Sequence, residues 1–451
     1  MLFIIVFLSL IFTFLNFRIS KKDWLDPAVI FSLFFLLASV MCLIALTYLN
    51  LVFHYEVVII LLMSYFIFTV FNLFAHSKQL NILEKNQQAS NPLEVLDIKS
   101  YITFFFILVI IFVIFLKYKH LVQLSSAYGQ GGSSIGAMIS VYDSLTKFQP
   151  KIYQKLGVYP PSYYNILSLL SQAYGYILLY VMVNNFIVAK KIKKEQVFYF
   201  LLLVVSFYMG GSRSTIMRLL TFAGLLYYVL SIRNGASFTI RRKLIRKLVW
   251  WGVIAVAVAM MTLSLYGRSN SYNTFHYLFI YIGAPLYNLD VFIQTHTLPI
   301  VQDLFGKQTF INLYSYLASE FNVEQFRYSL TLPFVRYDST YGLGNVYTTF
   351  YQFVYDFGLT GVVPLISVIA AYYVFAYRKI RNTFTITNRI DFTLFIYAFL
   401  FNDLVMLFFS NRFYETVLSM SNIKMFIFAY IMGALLLEQS IRIGRLKIKV
   451  F

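Results

Sequence analysis

The chain has 451 residues, of which 60% are hydrophobic and only 12% are charged. Soluble domains carry about 25% charged residues, so this composition excludes an ordinary soluble domain and indicates a membrane protein. The net charge of +19 does not indicate a nucleic-acid partner, because membrane proteins concentrate Lys and Arg in short cytoplasmic loops. The single cysteine, Cys42, excludes an intrachain disulfide and a cysteine metal site.

Apolar blocks follow one another along the whole chain. A helix of about 20 residues crosses a hydrocarbon core of about 30 Å, and most of these blocks have that length. We predict eleven transmembrane helices, over residues 2–17, 27–49, 57–75, 100–117, 165–189, 197–209, 215–232, 248–267, 358–377, 392–410 and 418–437. The first block is expected to be a retained helix, since no basic segment precedes it and no small-residue cleavage site follows. The expected fold is therefore all-α, a single polytopic transmembrane bundle over residues 1–451.

Basic residues predict how the chain is oriented in the membrane. They are concentrated in alternate connections and in the C-terminal tail, at 18–22, 78–99, 190–194, 233–247, 378–389 and 442–449. The positive-inside rule places these segments in the cytoplasm. With eleven crossings, the N-terminus is then outside and the C-terminus is cytoplasmic. Two long loops, about 118–164 and 268–357, are predicted to lie on the outer side.

Both long outer loops contain apolar segments that are expected to lie at the membrane surface. Apolar residues recur at helical spacing over 134–148, which predicts a short interfacial helix. The segment 276–293 is nearly long enough to cross, but a single crossing there would move the basic segment 378–389 outside. We therefore expect it to be interfacial or re-entrant, with a bend at Pro285. The alternative is a paired crossing with 309–322, which would raise the count to thirteen helices.

Arginines near the predicted outer ends of helices are the first candidate functional residues, because basic residues are disfavoured on that side. They are Arg213, Arg218, Arg268, Arg336 and Arg412. A guanidinium suits a diphosphate through bidentate hydrogen bonds, and the motif GGSRST at 210–215 adds flexible glycines and free helix N–H groups. The alternatives are that the arginines contact lipid headgroups or pair with Asp356, Asp403 or Glu415, and that the glycines form only a tight turn.

A second candidate cluster lies at 336–361, where glycines are mixed with aromatic, amide and carboxylate side chains. Aromatic rings stack on the apolar face of a sugar, and side chains such as Asp338, Asn345 and Asp356 can bond its hydroxyls. The alternative is a belt of interfacial aromatic residues, which tyrosines commonly form. No phosphate-binding glycine loop, His–Glu metal pair or Ser-His-Asp arrangement is recognisable, and the five histidines are scattered, so no metal is expected.

The sequence resembles bacterial O-antigen and capsule polymerases, the oligosaccharide repeat-unit polymerase family. The similarity lies in GGSRST entering a helix, in YGR at 266–268, in YIGAPLYNLD at 281–290 and, most strongly, in GLGNVYTTFYQFVYDFGLTG at 342–361. Together these motifs cover about residues 205–365, and the predicted topology agrees with that of the family over the whole chain.

The resemblance implies a fold similar to the glycosyltransferase C superfamily and an enzyme of the bacterial inner membrane. Such enzymes move a glycan from undecaprenyl diphosphate to the non-reducing end of an incoming lipid-linked repeat unit, on the outer face of that membrane. No nucleotide sugar, metal or other cofactor is implied. The implied partners are the lipid-linked donor and acceptor, the bilayer, a chain-length regulator and a flippase, with no nucleic acid.

The resemblance also implies roles for the arginines. Arg213 and Arg268 would hold the donor diphosphate and stabilise its negative charge as it leaves. Arg218 and Arg336 are further candidates for the same contact. Arg412 is a further candidate for substrate binding. All five would act on the predicted outer side, where the lipid-linked donor is carried.

For the acceptor, the resemblance implies roles within the 336–361 cluster. Asp338 or Asp356 would orient the acceptor hydroxyl or deprotonate it, while Asp356 is alternatively an ordinary carboxylate at a helix start. Tyr341 and Asn345 would contact sugar or shape the loop.

Two other functions are compatible with the same features. An O-antigen ligase moves the finished chain to a different acceptor, such as lipid A core, and shares the donor, the topology class and the outer arginines. A lipid-linked oligosaccharide flippase belongs to another class of protein. Transporters of that kind usually have internal repeats and short loops on both sides, whereas this chain has no visible repeat and long outer loops.

Overall fold

A computed structural model gives the fold of the protein and describes most of the chain. The residues outside that description are 78–92, 148, 212, 237, 262–273, 301–303, 329, 331, 340, 384–388, 439, 444–445 and 450–451. For a further set the backbone alone is described, namely 213, 238–239, 241, 255–261, 274, 438, 440–443 and 446–449. The predicted site residue Arg268 therefore lies outside the described residues, and so does the end of the predicted block 248–267.

The described chain is mostly helical. In chain order the helices are α1 (Leu2–Ile19), α2 (Pro27–Ala45), α3 (Tyr55–Ser77), α4 (Ser100–Ala127), α5 (Ile135–Lys147), α6 (Pro150–Leu156), α7 (Ser162–Ala189), α8 (Lys194–Tyr208), α9 (Arg213–Arg233), α10 (Phe238–Met261), α11 (Thr274–Ile282), α12 (Ala284–Thr295), α13 (Ile311–Phe321), α14 (Phe350–Phe357), α15 (Val362–Asn382), α16 (Phe392–Val405), α17 (Arg412–Val417) and α18 (Met420–Gly433). Short 3-10 turns lie at Glu324–Phe326, Leu359–Gly361 and Met406–Phe408, and a π-helical turn at Ala434–Glu438 follows α18.

Eight helices in the described part of the chain are long and apolar enough to cross a membrane. They are α1 to α4, α7, α9, α15 with its preceding turn, and α18 with the turn that follows it. Each predicted block overlaps a described helix, but the predicted count of eleven crossings is not confirmed. The helix α8 has 15 residues, the apolar helix Phe392–Phe408 is also short, and α10 ends at Met261 next to undescribed residues. The chain is thus a mostly helical protein with the features of a multi-pass membrane protein.

The first predicted outer loop is more helical than the sequence indicates. Helix α4 continues to Ala127, well past the predicted end at 117. The short helix predicted over 134–148 is confirmed as α5. Its residue Ile139 is buried against Leu121 of α4, so the apolar face of α5 packs on protein.

The segment predicted at 276–293 folds as two short helices. The break lies at Gly283, two residues before the Pro285 predicted as the bend. Proline fits the first turn of α12, where its missing N–H has no intrahelical acceptor in any case. With 9 and 12 residues, α11 and α12 are each about 14–18 Å long, roughly half of a hydrocarbon core. Whether the segment crosses the membrane stays a prediction.

The chain divides into two compact units. The first comprises Met1–Ala89, Tyr272–Thr383 and Leu400–Ile423, and the second comprises Ser90–Ser271, Phe384–Phe399 and Lys424–Phe451.

The first unit is built around α1, α2 and α3, with α15 packed on α2 and α3. Asp26 begins α2 by accepting a backbone N–H of its first turn at 3.0 Å. Polar side chains join α1 to α3: Ser9 Oγ lies 2.7 Å from Tyr65 OH, and Asn16 Nδ2 donates to Thr69 Oγ1 at 3.0 Å. Such bonds between apolar helices fix which faces meet.

The second unit is built from α4, α7, α8 and α9. The ring of Tyr174 on α7 stacks on Phe106 of α4 with centroids 4.0 Å apart, and its hydroxyl lies 2.8 Å from Thr103 Oγ1. Arg233 at the end of α9 forms an ion pair with Asp391 at 2.9 Å, and both side chains are only 6% exposed. Loss of either partner would leave a buried charge without compensation, so this pair fixes the end of α9 to the chain before α16.

Two short antiparallel hairpins accompany the helices. In the first unit, β1 (Val335–Arg336) pairs with β2 (Gly342–Gly344), with Val335 opposite Gly344 and Arg336 opposite Gly342. In the predicted cytoplasmic tail, β3 (Ser440–Ile443) pairs with β4 (Leu446–Lys449). The first hairpin carries most of the predicted acceptor residues and therefore positions one part of the candidate site.

Candidate functional site

Two arginines predicted to bind diphosphate, Arg213 and Arg218, belong to the second unit. Arg213 begins α9, but its side chain is not described, and Arg268 lies within the undescribed range 262–273. Arg218 is partly buried on α9, and its guanidinium carbon lies 4.5 Å from the centroid of the Phe399 ring. This cation–π contact holds the guanidinium in place.

The turn that leads into Arg213 is covered by α5. Gly211 has a φ of +69°, and a Cβ at this position would lie 3.0 Å from Asp143 Oδ1 of α5. Glycine alone combines this backbone conformation with so close an approach. Asp143 in turn pairs with Lys147 one helical turn later. The predicted anion-binding turn therefore has a carboxylate beside it whose charge Lys147 offsets.

A buried lysine that was not selected from the sequence also lies in the second unit. Lys117 of α4 is 4% exposed, and its Nζ lies 3.3 Å from the centroid of the Tyr142 ring. His120, almost one turn later, has Nε2 at 3.2 Å from the carbonyl oxygen of Val158 and 3.5 Å from Tyr153 OH. In the sequence, Lys117 is a cation at the end of an apolar block, and this pattern indicates only a helix end. The structure instead buries this ammonium group against the ring of Tyr142.

In the first unit, the β1–β2 hairpin carries Arg336 and Asp338. Both side chains are exposed. Asp338 Oδ1 accepts the backbone N–H of Tyr341 at 2.7 Å, and the N–H of Tyr337 bonds the carbonyl oxygen of Tyr341 at 2.9 Å. Asp338 thus closes the turn between the strands. Asn345, directly after β2, is partly buried.

Tyr341 anchors the hairpin on neighbouring helices. Its ring lies 3.8 Å from that of His276 on α11 and 6.2 Å from that of Tyr48 after α2. Burial lowers the pKa of His276, and its hydrogen bond to the backbone of Gly342 acts in the opposite direction. The neutral form of the His276 imidazole is therefore favoured beside the Tyr341 ring. Tyr341 thus has a packing role in addition to its predicted contact with sugar.

The segment that follows the hairpin is held by α12 and lined with aromatic rings. Asn288 Nδ2 donates to the carbonyl oxygens of Leu343 at 3.2 Å and Val346 at 2.9 Å. Farther along α12, the ring of Phe292 lies 4.4 Å from that of Tyr351, and it stacks on Tyr355 with centroids 6.0 Å apart. The motif GLGNVYTTFYQFVYDFGLTG is thus one packed structure and not a mobile connection.

Asp356 lies at the C-terminal end of α14 and not at a helix start. Its carboxylate accepts the backbone N–H of Gln308 at 3.1 Å, and the N–H and hydroxyl of Thr309 at 2.7 Å each. Burial raises the pKa of Asp356, and these hydrogen bonds act in the opposite direction. The carboxylate therefore fixes the turn before α13.

Arg412, at the start of α17, has the acid partner that one of the alternatives anticipates. Its Nη1 lies 3.3 Å from Glu415 Oε2, and Glu415 Oε1 accepts Gln352 Nε2 of α14 at 3.3 Å. Next to this pair, Asn411 is 1% exposed, and neither polar atom of its side chain has a partner among the described residues. Gln352 Oε1 and Arg412 Nε are also buried without a partner there. Buried polar groups are normally satisfied by protein, water or ligand, so this cluster has spare hydrogen-bonding capacity.

A histidine–aspartate pair in the first unit was not selected from the sequence. His54, immediately before α3, is bonded through its backbone N–H and its Nδ1 to the two oxygens of Asp290 on α12, each at 2.9 Å. The sequence feature that could have indicated this pair is the carboxylate of Asp290, at the end of the apolar segment YIGAPLYNLD. Its partner, 236 residues earlier, could not be recognised without the fold.

The structure groups the predicted residues of the first unit in two places. The hairpin and the residue after β2 carry Arg336, Asp338, Tyr341 and Asn345. Helix α14 carries Asp356 and contacts the Arg412–Glu415 pair through Gln352. Arg213 and Arg218 belong to the second unit, and Arg268 lies outside the described residues.

Within the described residues, no group of three or more His, Cys, Asp or Glu side chains is arranged to hold a metal ion. The fold defines a mostly helical protein, with eight helices in the described part of the chain that are long and apolar enough to cross a membrane. Comparison with known proteins narrows the class no further: no family model, no curated protein and no solved structure matches this chain.

Proposed function

We propose that this protein polymerises oligosaccharide repeat units carried on undecaprenyl diphosphate, at the outer face of a bacterial inner membrane. In the reaction, the bond between the anomeric carbon of the growing glycan and the diphosphate breaks. A bond forms between that carbon and a hydroxyl oxygen at the non-reducing end of the incoming unit. The hydroxyl proton goes to a base, and undecaprenyl diphosphate leaves with the bonding electron pair. The product is O-antigen or capsular polysaccharide.

The observation that carries the proposal is the ordered packing of the segment with the strongest resemblance, 342–361. Asn288 holds its beginning, and Phe292 packs against its tyrosines Tyr351 and Tyr355. Aromatic rings beside amide and carboxylate groups suit a sugar chain, whose rings have an apolar face and a polar edge. A passive connection between two membrane helices would need no such structure.

For the donor, the proposal assigns the diphosphate to arginines. Arg213 and Arg268 hold it and stabilise the negative charge that develops as it leaves, with Arg218 and Arg336 as further contacts. Support comes from Gly211, whose left-handed φ creates the tight turn before Arg213. Helix α9 begins at Arg213, and a helix N-terminus favours an anion through its N–H groups and its dipole.

For the acceptor, the proposal assigns sugar contacts to the first unit. Asp338 is exposed and orients the acceptor hydroxyl, while Tyr341 and Asn345 shape the adjoining surface. The partly exposed side chain of Arg412 contacts a further hydroxyl. Asp356 is the weaker candidate for a base because three donors already occupy its carboxylate.

The arginine assignment is tested by Arg213→Ala and Arg268→Ala. Removing a group that stabilises developing negative charge typically costs about 10²- to 10³-fold in rate, so each variant should lose long chains while still accumulating in the membrane. The measurement is glycan chain length on gels, beside immunodetection of the protein. Arg327→Ala is a matched control, because Arg327 lies in the same predicted outer loop as Arg268 and forms an exposed ion pair with Glu324. The control should keep the normal chain length, and normal chains in both test variants would refute the assignment.

A further inference from the structure

The His54–Asp290 pair has the geometry of an oriented base. Asp290 is 1% exposed, whereas the His54 side chain is 44% exposed. Burial raises the pKa of Asp290, and the hydrogen bonds from His54 act in the opposite direction by favouring the charged carboxylate. A buried carboxylate therefore holds a half-exposed imidazole, and that imidazole is free to meet a ligand on its other side.

The contact determines which imidazole nitrogen is basic. A carboxylate only accepts hydrogen bonds, so the neutral ring carries its hydrogen on Nδ1, which faces Asp290, and its lone pair on Nε2. Among the described residues, Nε2 of His54 has no hydrogen-bonding partner. The backbone N–H of His54 bonds the second carboxylate oxygen, which fixes the residue as well as the ring.

The pair borders the hairpin that carries the predicted acceptor residues. Asn50, four residues before His54, donates its backbone N–H to Tyr337 OH at 2.9 Å. Asn288, two residues before Asp290, donates to the carbonyl oxygen of Leu343 in β2 at 3.2 Å. The link after α2, the helix α12 and the β1–β2 hairpin therefore meet around this pair.

Besides His54, the titratable groups that interact with Asp290 in the described part of the chain include Glu56 and Tyr287. Glu56 in the first turn of α3 accepts Gln294 Nε2 of α12 at 2.8 Å, and its charge acts on Asp290. Burial raises the pKa of the Tyr287 hydroxyl on α12, and the nearby carboxylate of Asp290 raises it further.

We propose that His54 is the proton acceptor for the hydroxyl of the incoming repeat unit, and that Asp290 is the residue that positions it. The inference rests on the proposed function. The hydroxyl proton moves to His54 Nε2 as the hydroxyl oxygen bonds the anomeric carbon of the donor glycan. The bond from that carbon to the diphosphate breaks, and the diphosphate leaves with the electron pair. His54 then releases the proton to water. Asp338 orients the hydroxyl without taking the proton.

The test measures polymerisation by the full-length protein in lipid vesicles, with a lipid diphosphate-linked repeat unit as the only substrate. His54→Gln keeps an N–H donor for Asp290 but has no basic nitrogen, and His54→Ala leaves space for added imidazole. General base catalysis contributes about 10²- to 10⁴-fold, so both variants should lose at least about 100-fold in rate with little change in apparent KM. Imidazole should restore part of the rate to His54→Ala but none to His54→Gln. Asp290→Asn should lower the rate less than His54→Ala does.

The control is His296→Ala, because His296 is exposed directly after the same helix α12 and bonds only local groups there. It should polymerise at the normal rate. If wild-type protein forms no polymer from the lipid-linked unit, the proposed function fails. If wild-type protein is active and His54→Gln keeps its rate, the assignment of His54 alone fails. Loss of folding in both His54 variants, or loss of activity in His54→Ala without imidazole rescue, would show a structural anchor and also overturn it.

Discussion

Asp356 shows how a residue's hydrogen bonds decide between a chemical and a structural role. It lies in the segment of strongest resemblance, which made it a candidate to orient or deprotonate the acceptor. Its carboxylate, however, receives hydrogen bonds from Gln308 and Thr309, which fix the turn before α13. A base needs a free lone pair directed at its substrate. His54, whose Nε2 has no hydrogen-bonding partner among the described residues, meets that requirement better.

This difference predicts opposite effects for Asp356→Asn and Asp338→Asn. An amide at 356 would place N–H groups against the donors of Thr309 and should destabilise the protein by about 1–3 kcal/mol, the cost of leaving buried groups unsatisfied. Asp338→Asn should leave stability nearly unchanged, because the side chain is exposed, but should lower polymerisation. The measurement is the thermal unfolding midpoint in detergent beside glycan length. An inactive Asp356→Asn protein of unchanged stability would instead make Asp356 catalytic.

At the scale of elements, α5 is the helix that the sequence predicts to lie on the membrane surface. In the structure it packs beside the turn before α9, in the candidate donor region. Its apolar side chains Ile139 and Leu145 are buried against α4, and its Asp143 contacts Gly211 in the turn before α9. Helix α5 thereby fixes the turn that precedes Arg213, the first residue of α9. Amphipathic spacing predicted the helix itself, but the surface that it covers follows only from packing.

The coupling of α5 to this turn is tested by Gly211→Ala. A non-glycine residue in the left-handed conformation costs about 1–2 kcal/mol, and the added Cβ would lie 3.0 Å from Asp143 Oδ1. The variant should be less stable and should make shorter glycans, since Arg213 follows two residues later. Gly252→Ala is the control, because no atom lies within 4 Å of the added Cβ and alanine favours a helix interior. Equal stability and chain length in both variants would contradict the proposed importance of the turn.

The helices could be predicted because hydrocarbon demands about 20 apolar residues per crossing. Hydropathy did not predict the end of a helix where packing determines it. Helix α4 continues to Ala127 through less apolar sequence because α5 covers it. Local pairs such as Arg412 with Glu415 are readable from their spacing of three. Contacts between distant segments, such as that of His54 with Asp290, carry no sequence spacing and needed the fold.

At the scale of the whole molecule, we propose a helical membrane protein that carries out its reaction at the outer face of the membrane. The described chain supplies eight candidate spans and a packed segment around α12, α14 and the β1–β2 hairpin. The proposed donor residue Arg213 belongs to the second unit, and the proposed acceptor residues belong to the first.

The most direct test of polymerisation is to delete the gene and analyse the surface glycan together with the carrier lipid. The account predicts single capped repeat units in place of long chains, with chain length restored by the wild-type gene. Long chains stranded on the carrier lipid would identify a ligase instead. Repeat units left facing the cytoplasm would identify a flippase, and unchanged surface glycan would contradict every function in this group.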